Sequence, residues 1–192
     1  MRKVIFSLSV SVDSFIEDKT GDFRWADPDI ELHQHFNDLE HTIDTYLYGR
    51  RLYELMTAFW PTADRDPSQP EVVLEYARNW KTKKKFVFSR TLTEAGWGFQ
   101  VVKGDIAETV ARMKAQPGMD MSVGGPDLAS AFLRLGLIDE IGLYIHPVIV
   151  GGGKPMFPEL RDRIGLKLVE TRTFGKGVVL LKYSKVYDGS GK

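Results

Sequence analysis

Three times in this chain an apolar, strand-like run stops at a short turn of small and cationic residues. The turns are Tyr48-Gly49-Arg50-Arg51-Leu52-Tyr53-Glu54, Phe88-Ser89-Arg90-Thr91-Leu92 and Ser122-Val123-Gly124-Gly125-Pro126-Asp127-Leu128. Each follows the C-terminal end of an expected strand, the edge at which open α/β sheets bind ligands. After the first and third turns a helical pattern begins, and a helix start presents free N–H groups and the positive end of its dipole. Gly49, Gly124 and Gly125 leave room there for a phosphate to approach the backbone, and an arginine adds a charge-assisted bond. Ser89, Arg90 and Thr91 together suit a terminal phosphate. Each turn also has a plain reading: a surface helix with solvated arginines, a common loop opening, a structural tight turn. Jointly, three phosphate-compatible turns on one edge suit a dinucleotide that carries an extra phosphate.

The periodicity around these turns alternates strands with helices. Val4, Phe6, Leu8 and Val10 alternate with Ser7, Ser9 and Ser11, so residues 3–11 read as a strand. Residues 17–28 read as a loop, and Leu32, Phe36, Leu39 and Ile43 give a helix over 29–43. Residues 45–48 are a short strand, residues after Gly49 a helix ending before Pro61, 61–70 an exposed loop, and 73–80 a helix. Strands over 85–89 and 99–103 follow. Asp105 and Glu108 resemble a capping box for a helix to about residue 115. Then come a strand over 119–123, a helix over 128–135, an apolar strand over 141–150, and an antiparallel pair, 166–173 and 178–186. The pattern predicts an α/β protein with a mostly parallel central sheet, flanking helices and an antiparallel C-terminal hairpin. One domain over 1–187 and a loose tail over 188–192 complete the reading.

Composition narrows the function classes. The 26 Lys and Arg balance 26 Asp and Glu, so no basic sheath for nucleic acid is expected. With no Cys, disulfides and Cys-ligated metals are excluded, which fits a reducing cytoplasm. The start of the chain has strand alternation rather than a signal-peptide pattern, and no run approaches the roughly 20 apolar residues of a membrane helix. No dinucleotide fingerprint of the G-x-G-x-x-G type opens a helix, and Gly151-Gly152-Gly153-Lys154 meets Pro155 where a phosphate-binding loop needs Ser or Thr. His33 and His35 stand two apart and would diverge on a helix, so no metal site is expected.

Five segments in one order carry a resemblance. They are Ser11-Val12-Asp13-Ser14-Phe15-Ile16, the three turns above, and His146-Pro147-Val148-Ile149-Val150-Gly151-Gly152-Gly153-Lys154-Pro155-Met156-Phe157. From Val4 to Tyr183 the chain resembles the reductase domain of the bacterial bifunctional riboflavin-biosynthesis deaminase-reductase and, more distantly, dihydrofolate reductase. It departs at Ser14, where close relatives usually carry glycine, and its acids Asp29 and Glu31 fall off the folate-binding acid position of dihydrofolate reductase. The resemblance implies a three-layer dihydrofolate-reductase-like fold, often homodimeric, with NADPH as cofactor and a small heterocyclic substrate. It implies that Gly49, Arg50, Arg51, Gly124 and Gly125 hold the pyrophosphate. Ser89, Arg90 and Thr91 would take the 2′-phosphate, and the loop with Phe15 and Ile16 would cover the nicotinamide. Ser11, Val123, Pro126, Asp127 and Leu128 complete the implied cofactor-binding set.

Hydride transfer also needs polarisation of the acceptor and a proton. Asp13, directly after the first strand, is the leading polar candidate beside the nicotinamide; the other reading is a turn-forming Asp bonded to backbone. Asp29 and Glu31 are second choices, or acids complementing a helix dipole. His146 reads as a hydrogen-bonded core or pocket residue, and the Lys81-Thr82-Lys83-Lys84-Lys85 run as a solvated surface. Trp25, Tyr46, Tyr48, Tyr53 and Trp60 floor a pocket or pack a core. Two expectations stay open beside a reductase of a carbonyl or imine compound: a dinucleotide-binding module without chemistry, and a structural homodimer with a degenerate site.

Overall fold

A computed structural model describes residues 1–186; the expected tail over 188–192 lies outside the described residues. Among the described residues the strands are β1 (Val4–Ser11), β2 (Phe15–Asp18), β3 (Ile43–Gly49), β4 (Lys84–Phe88), β5 (Phe99–Val102), β6 (Asp120–Gly124), β7 (Glu140–His146), β8 (Gly153–Pro155), β9 (Leu166–Thr173) and β10 (Val179–Lys185). The α-helices of the described residues are α1 (Ile30–Glu40), α2 (Arg50–Phe59), α3 (Glu71–Thr82), α4 (Ile106–Ala115) and α5 (Pro126–Arg134). The class is α/β, its β-structure mixed and its parallel strands flanked by helices. The described residues form two compact units, Met1–Val4 with Pro28–Leu137, and Ile5–Asp27 with the described chain from Ile138 on.

The first unit holds all five α-helices and the strand order β5-β4-β3-β6, parallel at every pairing. Parallel strands with helical crossovers are buried on both faces and read as apolar runs. Tyr46, Leu47 and Tyr48 of β3 and Val87 of β4 are accordingly 4% exposed or less. Trp80 of α3 and Phe99 of β5 close this core around the stacked rings of Tyr46 and Tyr48, 5.2 Å apart. These tyrosines are core, as is Trp60, which packs on Tyr76 at 4.4 Å. The lysine run differs from the expected solvated surface. Lys85 lies 4.8 Å over the Trp80 ring and donates to the carbonyls of Lys81 and Lys83. Lys83 donates to the carbonyls of Glu40 and Ile43 at 2.5 and 2.8 Å. Their long apolar stems are what make this burial possible.

The second unit runs β1-β7-β10-β9, parallel at β1–β7 and antiparallel at the two closing pairings. The expected C-terminal hairpin is there, with exposed side chains along all eight residues of β9. A second, two-stranded sheet pairs β2 with β8. Strands of four and three residues are too short to show alternation, which is why residues 17–28 read as loop throughout. The strand expected over 141–150 stops at His146, because Pro147 has no N–H to give a ladder. Beyond it Gly151, Gly152 and Gly153 all take positive φ (76°, 140° and 146°) and turn the chain into β8.

Candidate nucleotide site

In the first unit the parallel pairings set four strand ends level. Tyr48 pairs with Gly124, Gly49 with Phe88, and Phe88 with Val102. The turns that leave these ends therefore face the same space, a cavity of about 700 Å³. Its lining includes Gly49, Arg50, Arg51, Ser89, Arg90, Gly125, Pro126, Asp127 and Leu128 from the three expected turns.

Two helices open onto this cavity without a side-chain cap. The N-cap of α2 is Gly49 and that of α5 is Gly125, neither of which has a side chain to cap its helix. By contrast, Asp29 caps α1 through the N–H of Leu32 at 2.9 Å, and Asp105 caps α4 through Glu108 at 2.8 Å. Glycine at an N-cap leaves the first-turn N–H groups open to an outside acceptor. It also lets the two turns abut. A Cβ on Gly125 would stand 3.5 Å from the Gly49 nitrogen, and one on Gly49 would stand 3.4 Å from Leu128 Cβ. Gly125 has φ 90°, a conformation that costs an L side chain strain. Pro126 takes the first helical position, where its missing N–H costs nothing.

The cationic side is also organised. Arg50 donates from Nε to Glu54 at 2.7 Å and from Nη1 to the Thr91 hydroxyl at 3.0 Å, tying α2 to the loop after β4. Ser89 Oγ accepts from the N–H groups of Thr91 and Leu92 at 3.4 and 3.1 Å, which folds that loop into a turn. Thr91 thus meets the site through Arg50 rather than by lining the cavity. Val123, 1% exposed, is core, and Gly124 ends β6 where a Cβ would collide with Leu52. Lys103 and Gly104 were not expected in the site and line the cavity too. Their signal was present as a fourth strand end followed by glycine and a helix, masked because Asp105 already explained that turn as a cap.

Ser11, Asp13, Phe15, Ile16 and His146 lie in the second unit. Ser11 Oγ accepts from the N–H of Phe15 at 2.9 Å, closing the turn after β1. Asp13 accepts from the N–H groups of Val150 at 3.0 Å and Gly151 at 2.8 Å. The hydroxyl of Ser11 and these backbone donors hold its carboxyl at about 2, below the ordinary 3.8. Asp13 is therefore an anion at neutral pH that ties the 11–16 turn to the glycine segment. Its anchoring is complete above the ordinary carboxylate value and is lost as pH falls through about 2. Phe15 is half-buried and Ile16 buried, both in β2. His146 is a bonded core residue, 3.0 Å from Ser9 Oγ and edge-on to Trp25; burial, then Lys176, lowers its pKa. Asp29, second choice beside the substrate, serves α1 as its cap. Among the described residues no cluster of acids and histidines suits a metal ion, and no helix is long and apolar enough to cross a membrane.

Comparison with known proteins agrees with this architecture. The protein is 40% identical over 188 residues to the uncharacterized protein YyaP of Bacillus subtilis (strain 168), covering 95% of this chain and 94% of that one. Its fold is similar to that of a putative riboflavin biosynthesis protein from Shewanella sp. PV-4, with TM-score 0.77, 23% identity and coverage of 96% and 99%. It is also similar to dihydrofolate reductase from Enterococcus faecalis, a structure complexed with NADP(H), with TM-score 0.62, 14% identity and coverage of 95% and 96%. The model of the RibD C-terminal domain matches residues 2–180, nearly the whole described chain, and the protein belongs to that family.

Proposed function

We propose that this protein is an NADPH-dependent reductase that transfers hydride to a C=O or C=N carbon of a small heterocycle of pyrimidine or pterin type. The observation that carries the reading is the cavity in the first unit. Two glycine-led, uncapped helix starts and the cationic ends of neighbouring parallel strands line it together. These residues fit the cofactor. The N–H groups that open α2 and α5 suit a pyrophosphate, with Arg50 and Arg51 beside them, and Ser89 and Arg90 suit a further phosphate. Gly124, Val123, Pro126, Asp127 and Leu128 shape the turn that keeps those N–H groups accessible. When bound, NADPH supplies the hydride.

For the reacting end the proposal assigns the 11–16 turn, with Phe15 and Ile16 against the nicotinamide and Ser11 shaping the turn. Asp13 acts there as a fixed carboxylate that positions the turn and polarises its surroundings. Its lowered pKa makes it a poor proton donor, so the proton that accompanies the hydride comes from water. That same observation favours a second reading, a dinucleotide-binding module without chemistry. The homodimer and the cytoplasmic location belong to the proposal through the family resemblance.

Turnover separates the two readings. Purified protein is incubated with NADPH deuterated at the transferring position and a panel of pyrimidine, pterin and related carbonyl or imine compounds. Cofactor oxidation with deuterium appearing on a substrate carbon is the expected result. Intact NADPH binding with no deuterium transfer to any of them would favour the module.

A further inference from the structure

One polar cluster near the 11–16 turn has no part in the assignments above. In the second unit Phe6 and Val10 of β1 are core, 1% and 3% exposed, and Ser7, Ser9 and Ser11 alternate with them. Ser11 is level with His146 in the pairing of β1 with β7, so the serines and His146 rise from one side of the sheet. Ser9 is half-buried, and its Oγ lies 3.0 Å from Nε2 of His146, a residue only 4% exposed. Burial, then the charge of Lys176, lowers the His146 pKa below the ordinary 6.5, so the imidazole is neutral at neutral pH. Trp25, half-buried in the turn Arg24–Ala26, meets that imidazole edge-on at 5.8 Å. Its indole N–H is buried and meets no acceptor among the described residues. A buried donor left without a partner is rare in native proteins, and an indole N–H can only donate. A hydroxyl and an orphaned N–H thus flank one imidazole, whose ladder partner Ser11 begins the 11–16 turn.

We propose that Ser9 and Trp25 recognise a ring carbonyl of the substrate, with His146 as the positioning residue that turns the Ser9 hydroxyl outward as a donor. The inference rests on the functional reading above and deepens it, because it names the polar edge that the heterocycle must carry. With Nε2 donating to Ser9 Oγ, the hydroxyl proton is left for the carbonyl oxygen. The Trp25 N–H gives the same edge a second donor. A ring amino group in that place would bring protons against donors and leave them unpaired, a mismatch that discriminates more strongly than a lost apolar contact.

The test is calorimetric titration, in the presence of NADP+, with 5,6-diaminouracil, which carries ring carbonyls, and with 2,4,5,6-tetraaminopyrimidine, in which amino groups replace them. Wild type should prefer the diaminouracil by about tenfold or more. Ser9→Ala, Trp25→Phe and His146→Leu should each reduce that preference to about threefold or less, whereas His146→Gln, which keeps an N–H donor, should retain it. NADP+ affinity should be unchanged in all four variants. Ser9→Ala and Trp25→Phe only remove a donor, so they test the recognition even if a change at the buried His146 disturbs folding, which circular dichroism would reveal. The wild-type preference persisting in Ser9→Ala and Trp25→Phe would overturn the inference. So would an equal loss for both heterocycles, which would mark the cluster as structural, and so would wild type that binds NADP+ but neither heterocycle. Those outcomes leave the nucleotide reading intact. Carbonyl preference without NADP+ binding would sustain the inference and overturn the nucleotide reading, and binding of none of the three would overturn both.

Discussion

At the scale of single residues, the positions that sequence reasoning treated as chemical divide by what their atoms already hold. Asp13 holds two backbone N–H groups in place, and Asp29 caps a helix, so both acids have structural partners. Arg90 has none among the described residues. Ser14 is the informative departure. It sits at φ 66°, in the left-handed region where an L side chain is strained and glycine is favoured. Its N–H and carbonyl are both bonded, to Ser11 and Met156, so the backbone keeps this conformation. Ser14→Gly should stabilise the protein by about 1 kcal/mol, raising Tm by about 2–4 °C in thermal unfolding. A lower Tm would mean that the loss of chain entropy in the glycine variant outweighs the relief of strain.

At the scale of elements, the helices differ in how they begin: the two with glycine at the N-cap both open onto the cavity, α3 starts at Pro70 without a side-chain cap, and α4 meets the cavity with its Asp105 cap in place. α1 and α4 have Asp caps, whereas α2 and α5 have glycine. Gly49 has φ −73° and ψ 158°, which any residue can adopt, so its lack of a side chain is not required by backbone conformation. Gly49→Asp should therefore cap α2 and leave the Tm unchanged or slightly higher. The same carboxylate would take the N–H groups and charge needed by a phosphate, so NADPH affinity should fall by about tenfold or more. Loss of both stability and affinity would instead point to a clash with Leu128, the nearest side chain. The three turns were legible because glycine, arginine and proline have positional meaning at strand ends and helix starts. The Lys103 turn was not, because one satisfactory explanation, the Asp105 cap, concealed a second. β2 and β8 were not legible either, because four- and three-residue strands carry no period.

At the scale of the molecule, alternating helices and parallel strands in the first unit and the antiparallel closing strands of the second could be read from periodicity alone. The lysine run could not. A sequence of cations looks solvated, and only the packing of Trp80 under Lys85 shows two of them half within the core. Membership in the RibD C-terminal domain family rests on nearly the whole described chain, and the cavity of the first unit is where we propose that a nucleotide binds. The central claim is that this cavity takes a dinucleotide with a 2′-phosphate. Isothermal titration of the wild-type protein with NADPH and NADH at neutral pH tests it directly. Saturable NADPH binding, with affinity at least about tenfold above that for NADH, is the expected result. Equal affinity for the two would contradict the phosphate site at Ser89 and Arg90, and binding of neither would contradict the nucleotide site as a whole.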